Sequence, residues 1–549
     1  MNRQDMTAAL AGRGEKPWDL CIIGGGATGL GVAVDAASRG FSTLLLEQYD
    51  FAKGTSSRAT KLVHGGVRYL QQGNVKLVTE ALHERGILRR NAPHLVKDQS
   101  FIVPNYKWWE GPFYGIGLKV YDWMAGSLGL GKSRLLSREE TLALAPTLDG
   151  EGLRGGVLYH DGQFDDARLA IELAKTAVEQ GAVVLNYCRV DGFLKENDRI
   201  IGVQATDTIA NESYTLYAKT VINATGVFTD AILKKDDASS ESIITPSQGV
   251  HLVLDKEFLP GDAAILIPHT DDGRVLFAVP WHNKIIAGTT DTMVDHAEIE
   301  PRALPAEIDF ILQQIGRYLK RVPGYRDIRS VYAGLRPLVK NNGRKTAELS
   351  RDHLVMVSES GLITITGGKW TTYRRMAEDT VNTAIARGGL PERACKTASL
   401  PIHGAEIGLA PKAEERKPDE ARKTEARSGS GGMESDEEND PLHFHGSDAV
   451  AIRALAAAEP DWGRQLHPGL PYLMAEIVWA AREELCMTVE DALSRRTRSL
   501  LLDARAAMEC AETVAALLAK ELNRDLAWQR AQVEEFGKLA AGYLVGVDN

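Results

Sequence analysis

The sequence predicts an α/β protein with three parts: a discontinuous, Rossmann-like dinucleotide-binding domain, an inserted cap domain of mostly antiparallel sheet, and a helical C-terminal domain. Three observations predict it. The stretch DLCIIGGGATGLGVAVDAASRGFSTLLLEQ (19–48) runs strand, glycine turn, helix, strand, which is one βαβ unit. The stretch AAILIPHTDDGRVLFAVPWHNKIIAGTTD (263–291) has short β-rich runs broken at Asp272-Gly273 and His282-Asn283, the pattern of an antiparallel meander. Residues 447–549 are rich in Ala, Leu, Glu and Arg, and Leu473, Ile477, Val478, Ala481 and Leu485 fall at helical spacing.

The remaining elements follow in order. TVINATGVFTDAIL (220–233) and GLITITGGKWTTYRRMAEDTVNTAIARG (361–388) each run a strand into glycine and then a helix, and are expected to return to the first sheet. The dinucleotide-binding domain is therefore assigned to 17–95, 150–235 and 335–400, and the cap domain to 96–149 and 236–334. Between them and the C-terminal domain (441–549), residues 411–440 are polar and charged without large apolar side chains, which reads as a flexible linker.

Bulk composition limits the function. A chain of 549 residues exceeds one core and suits roughly two or three domains. A net charge of −10 argues against nucleic acid as the main partner. It does not argue against a small anion, because a few arginines can reverse the field inside one cleft. Cys21, Cys188, Cys395, Cys486 and Cys510 are scattered without a CxxC pair, as expected of reduced thiols in the cytoplasm. No metal site is expected; His443 and His445 in PLHFHG have no third ligand near them. The N-terminal residues lack the apolar core of a secretory signal, and no run is long enough to span a bilayer.

Gly24, Gly26 and Gly29 fit GxGxxG between a strand and a helix. Such glycines serve the tight turn, the approach of backbone to a pyrophosphate and the packing of helix on strand. Glu47 closes the second strand at the place of the acid that binds ribose hydroxyls. A fingerprint near the chain start, with late returns at INATG and TGGK, favours FAD over NAD, and an acid rather than a base at 47 suits an unphosphorylated ribose. Lys369 follows two glycines in a strand-to-helix turn, a position that exposes it at the flavin edge.

Taken together, DLCIIGGGATGLGVAVDAASRG, TSSRATKLVHGGVRYL, HDGQFDDARL, VINATGVFTD, GTTDT, AGLRPL, SRDH and TGGKWTTYRRMAE resemble the FAD-dependent glycerol-3-phosphate dehydrogenases, in that family's order. The resemblance implies a D-amino-acid-oxidase-like fold and oxidation of sn-glycerol 3-phosphate to dihydroxyacetone phosphate. It implies hydride transfer from C2 to FAD, and electrons passed to a membrane quinone. It places Arg68, Tyr69, Arg336, Arg351 and Lys369 around the substrate. Thr55, Ser56 and Ser57 are placed on the FAD, with Ala224, Gly226, Gly367 and Gly368 in the later flavin-binding turns. Gly65 and Gly66 are expected to let backbone pass close to the flavin ring, where a Cβ would collide. Arg58 departs from the family pattern and is assigned no role. Thr290 in GTTDT either borders the substrate or makes only a turn.

Two histidines compete as the base for the hydroxyl proton. His64 precedes the glycine pair, and His251 alternates with apolar residues in SQGVHLVL. The aromatic, glycine-rich stretch WWEGPFYGIGLKVYDWMAGSLGLGK (108–132), with Lys119 and Lys132, suits the headgroup layer of a bilayer. The expected location is thus cytoplasmic with a peripheral contact on the inner membrane face, and a homodimer is among the expectations. Other readings are a glycerol-3-phosphate oxidase that uses oxygen and releases peroxide, an amine or amino-acid oxidase, and a non-catalytic flavin-binding interaction protein.

Overall fold

Trp18–Ile23 is apolar almost throughout and nearly all buried, so it belongs inside a sheet rather than at an edge. In the computed structural model, which describes residues 1–66, 74–340, 353–405 and 440–546, it lies between Glu212–Asn223 and Thr43–Leu46. All three run parallel, and the array extends to Ile363–Gly367 on one side and Val183–Leu185 on the other. Parallel sheets require covered faces. Ala27–Ser38 supplies cover with small residues buried from Gly29 to Ser38, and it packs against both Asp166–Glu179 and Tyr373–Gly388. The returns expected at 220–233 and 361–388 are therefore in this sheet.

The second sheet follows the order Thr292–Met293, Ile244–Asp255, Lys284–Gly288, Leu276–Trp281, Ala264–Ile267, Val96–Asn105, Gly155–Phe164 and Leu62–Val63. The hairpin at His282-Asn283 has positive φ at both residues (44° and 59°), as a two-residue turn with the right twist requires. Gly155–Phe164 falls in a segment assigned from sequence to the dinucleotide-binding part, yet it pairs along its length with Val96–Asn105. Ile328–Val339, which crosses the boundary drawn at 335, pairs with Ile244–Asp255. Alternation and β-branched content mark a strand, but its partner is set by contacts distant in sequence.

One face of this sheet packs on the helix Pro305–Gly316 around Leu252, Ile285 and Ile311. Val253, Trp281, Ile286 and Tyr332 join the core of the C-terminal helices, including Met474–Glu483, Ala504–Leu522 and Leu526–Ala541. The stretch 411–440 lies outside the described residues except for Asp440.

The C-terminal part meets the first domain through buried charge. Arg496 donates to both oxygens of Asp50 at 2.7 and 2.8 Å, and Arg495 Nε donates to Asp50 at 2.6 Å. Arg168 forks onto Glu484 at 2.7 and 3.1 Å, and Arg498 reaches Asp166 at 3.0 Å and the Ser57 carbonyl at 2.7 Å. All of these side chains are at most 3% exposed. Burial alone would raise the carboxyl pKa values. For Asp50, Arg496 and Arg495 overcome it and hold the carboxyl far below its ordinary range; for Glu484, Arg168 and Lys175 lower it to about 2.

Removing one partner strands a buried charge, so Asp50→Asn is expected to destabilise the protein by about 3–5 kcal/mol in denaturant unfolding. Both carboxyls are depressed in the folded state. Their stabilisation is therefore complete above the ordinary carboxyl range and is lost as pH falls through the folded values. Unfolding midpoints measured against pH should fall steeply between roughly pH 4 and pH 2, and less steeply in Asp50→Asn.

Candidate active site

Two clefts share a wall made by Thr55, Pro337, Gly368, Lys369 and Trp370. The first, about 1430 Å³, runs along the carboxyl ends of the parallel strands past Gly24, Gly26, Glu47, Ser56, Ala224, Gly226 and Gly367. Its residues fit FAD. Gly24 has φ +112°, and a Cβ there would lie 2.7 Å from the Ala224 carbonyl oxygen. A Cβ on Gly29 would lie 1.9 Å from the Gly24 oxygen, so Gly29 serves the packing of helix on turn and does not line the cleft. The first-turn N–H groups of Ala27–Ser38 have no partner within the helix. Ser56 Oγ accepts from Ala27 at 2.9 Å, and Thr28 lines the cleft. Glu47 accepts from the Gly25 and Tyr49 N–H groups at 2.6 and 2.8 Å, which aims its carboxylate along the cleft; its burial raises its pKa.

The three residues of the TSS stretch do different work. Thr55 lies on both clefts and donates its hydroxyl to the Leu335 carbonyl at 2.6 Å. Ser56 faces the first cleft, and its carbonyl accepts from the Trp370 indole at 2.9 Å. Ser57 is buried outside both clefts, and its carbonyl anchors Lys61 and Arg498.

The second cleft, about 970 Å³, brings His64, His251, Arg336 and Lys369 together. His251 stacks on Tyr332 with centroids 4.8 Å apart, and its Nε2 lies 2.8 Å from Thr60 Oγ1. Burial, Lys61 and Arg336 together hold its pKa well below that of an ordinary histidine, so the ring is neutral. Lys61 itself is fully buried on Asp166 at 2.7 Å, and burial lowers its pKa to about 8. Arg336 donates to Thr289 Oγ1 at 3.1 Å and the Thr290 carbonyl at 3.0 Å, and pairs with Asp291 at 3.3 Å. It lies across Gly249, where a Cβ would come within 2.3 Å of Nη2.

The geometry gives Thr290, Gly65 and Arg58 specific contacts. Thr290 does not line the cleft: its hydroxyl bridges the Val250 N–H and Glu307 at 3.0 and 2.9 Å, so it braces the strand end that holds Arg336. A Cβ on Gly65 would meet Leu82 Cδ2 and the Tyr121 hydroxyl, each at 2.6 Å. Side chains on that side demand the glycine, and neither Gly65 nor Gly66 lines a described cleft. Arg58 now has a structural account, pairing with Glu300 at 2.6 Å and donating to the Ile299 carbonyl at 2.9 Å. Arg68, Tyr69 and Arg351 lie outside the described residues. Sequence reasoning missed Lys61, Gly249 and Trp370; of these only Gly249, a glycine inside a β-rich run, carried a signal of close backbone approach.

The family described as FAD dependent oxidoreductase matches residues 19–374, and that described as the C-terminal domain of alpha-glycerophosphate oxidase matches 395–532. Fold and cleft thus define an FAD-dependent oxidoreductase. The chain is 40% identical over 539 residues to the mitochondrial glycerol-3-phosphate dehydrogenase of Homo sapiens, covering 94% of this chain and 72% of that one. It is 40% identical to the mitochondrial enzyme of Arabidopsis thaliana over 548 residues, covering 96% and 87%. The crystal structure of the Bacillus halodurans glycerol-3-phosphate dehydrogenase complexed with FAD superposes with a TM-score of 0.78 at 29% identity, over 100% of this chain and 98% of that one. The chain belongs to the FAD-dependent glycerol-3-phosphate dehydrogenase family, and its cofactor is FAD.

Gly24→Ala is expected to yield protein with less than about a tenth of the wild-type flavin per chain, because the side chain would drive the turn off Ala224. Glu47→Ala should weaken FAD binding by about 1–3 kcal/mol, read by titrating the apoprotein with FAD.

Proposed function

We propose that the protein oxidises sn-glycerol 3-phosphate to dihydroxyacetone phosphate and passes the electrons to a membrane quinone. The observation that carries this reading is the second cleft, where His64, His251, Arg336 and Lys369 meet beside the wall shared with the FAD cleft. The arrangement suits a phosphorylated secondary alcohol. The Arg336 guanidinium is held in place by the Gln248 and Thr290 carbonyls, the Thr289 hydroxyl and Asp291, and brings positive charge to the cleft wall. Lys369 stands where the two clefts join and adds positive charge beside an oxygen that becomes more negative as its proton leaves. FAD, when bound, supplies the hydride acceptor.

The remaining task is to take the hydroxyl proton, and here the two histidines part. Protonating His251 would add a third positive charge beside Lys61 and Arg336 in a buried place. His251 is therefore assigned as a neutral hydrogen-bonding group on Thr60, and His64, half-buried on the same cleft, as the proton acceptor.

Anaerobic glycerol 3-phosphate is expected to bleach the flavin of the wild-type protein fully, and no bleaching would end this reading. His64→Asn should slow flavin reduction in a single turnover by roughly 10²–10⁴-fold, whereas His251→Asn should slow it by less than about tenfold. Reversal of that order would reassign the base. Peroxide released in step with substrate under air would favour the oxidase reading.

A quinone is insoluble in water, so the protein should meet a lipid surface. No helix among the described residues is long and apolar enough to cross a membrane. The helix Glu110–Ala125 offers a surface contact instead. Tyr114, Leu118, Tyr121 and Ala125 are buried on one side, while Phe113, Ile116, Val120 and Trp123 are 42–82% exposed on the other. Trp108, Lys107 and Lys119 are exposed beside them, the mixture of apolar, aromatic and basic groups that enters an anionic headgroup layer. Replacing Trp108, Phe113 and Trp123 by Ser is expected to abolish sedimentation with anionic liposomes and leave flavin reduction by glycerol 3-phosphate unchanged. Retained binding would remove this helix from the membrane contact.

A further inference from the structure

The HGG segment is held from outside the active site by a tyrosine that the oxidation chemistry does not touch. The Gly65 N–H donates to the Tyr121 hydroxyl oxygen at 2.8 Å, and that hydroxyl donates to Asp161 Oδ2 at 2.7 Å. Asp161 Oδ1 accepts from Arg85 Nη1 at 2.7 Å and from the Gly162 N–H at 3.2 Å. Tyr121, Asp161 and Arg85 are 1%, 3% and 1% exposed, so the chain of hydrogen bonds is closed to water. Its direction is unambiguous. An amide N–H can only donate, which leaves the hydroxyl proton to Asp161, and burial with Asp161 pushes the phenol pKa well above its ordinary value.

This hold acts on the backbone next to His64. Strand pairing of Leu62–Val63 with Gly162 and Gln163 ends at Val63. Beyond it, the His64 N–H donates to Thr371 Oγ1 at 3.2 Å, and the Gly65 N–H donates to Tyr121. The two bonds grip consecutive amides from opposite elements, Thr371 from the turn after Lys369 and Tyr121 from the helix whose outer face is exposed. A Cβ on Gly65 would lie 2.6 Å from both Leu82 Cδ2 and the Tyr121 hydroxyl, so the glycine backbone is packed close against these two side chains.

We propose that Tyr121 is a positioning residue for the oxidation: through Gly65 it fixes where His64 stands over the second cleft. This rests on the assignment of His64 as proton acceptor. A hydroxyl polarised by a buried carboxylate is a strong acceptor for the Gly65 amide. Losing it leaves that N–H unsatisfied and frees the segment to move, and displacements near 1 Å at a reacting group slow reactions by about a hundredfold.

The test is Tyr121→Phe in the FAD-loaded protein, followed by stopped-flow anaerobic reduction and by hydrogen–deuterium exchange of the peptide that contains Gly65. The limiting reduction rate is expected to fall at least about tenfold, with the substrate saturation constant within about threefold and the flavin spectrum unchanged. Gly65 exchange should accelerate at least about tenfold, in apoprotein as well as holoenzyme. Site-specific 3-fluorotyrosine at 121 keeps the hydroxyl and the fold but weakens the oxygen as an acceptor, and should slow reduction about two- to threefold. An unchanged rate in both variants overturns the proposal, as does a fall in rate that only tracks loss of flavin or a rise in the saturation constant. If glycerol 3-phosphate fails to reduce the wild-type protein, the functional reading falls instead, and Gly65 exchange alone still decides whether Tyr121 holds the segment.

Discussion

The arrangement depends on two buried carboxylates, Asp50 and Asp166, and the arginines that reach them from the SRRTRS turn. Arg495 and Arg496 converge on Asp50, while Arg498 and Lys61 converge on Asp166. Stripping water from so many charges is unfavourable, and an apolar contact of the same volume would stabilise the interface at least as well. What the charges add is geometry, because each guanidinium fork accepts only one placement of its carboxylate. Asp50 and Asp166 thereby fix both ends of a path that runs from the first βαβ unit through the TSS stretch to His64.

That path lines part of both clefts and ties to the elements around them. Ser56 caps the fingerprint helix, Thr55 ties to Leu335 one residue before Arg336, Arg58 reaches Glu300, and Thr60 meets His251. The C-terminal helices contribute no residue lining either cleft, yet through Arg498 they hold the Ser57 carbonyl. They act on the site as a clamp on the loop that builds it. His251 is kept neutral first by burial and then by Lys61, which, drawn inward by Asp166, sits under the ring of Tyr332 on which His251 stacks. Tyr121 completes the set of holds from the opposite side, where Asp161 and Arg85 form a second buried pair.

Much of the FAD cleft was legible in the sequence because its demands are local. A glycine at positive φ, an acid at the end of the next strand and a Gly-Gly-Lys turn are each readable from a few neighbours, as at Gly24, Glu47 and Lys369. The second cleft was legible only as residue types. His251 and Arg336 could be named as candidates, but the neutrality of one and the anchoring of the other depend on Lys61, Gly249 and Asp291, which come from three separated segments. Arg58 and Thr290 show the same limit. Each sits inside a motif that touches the site, and each side chain is tied to an element distant in sequence.

By itself the sequence determined the βαβ start, the late returns of the chain to the first sheet, the antiparallel inserted sheet, the helical end and the flavin fingerprint. These follow from periodicity, glycine placement and steric limits acting over short spans. Only the tertiary structure decided that Gly155–Phe164 joins the second sheet, that Gly65 makes room for Tyr121, and which histidine stands among cations. Strand pairing, close packing and electrostatic neighbourhood are properties of residues far apart in the chain, and their free energies exist only once folding has brought them together.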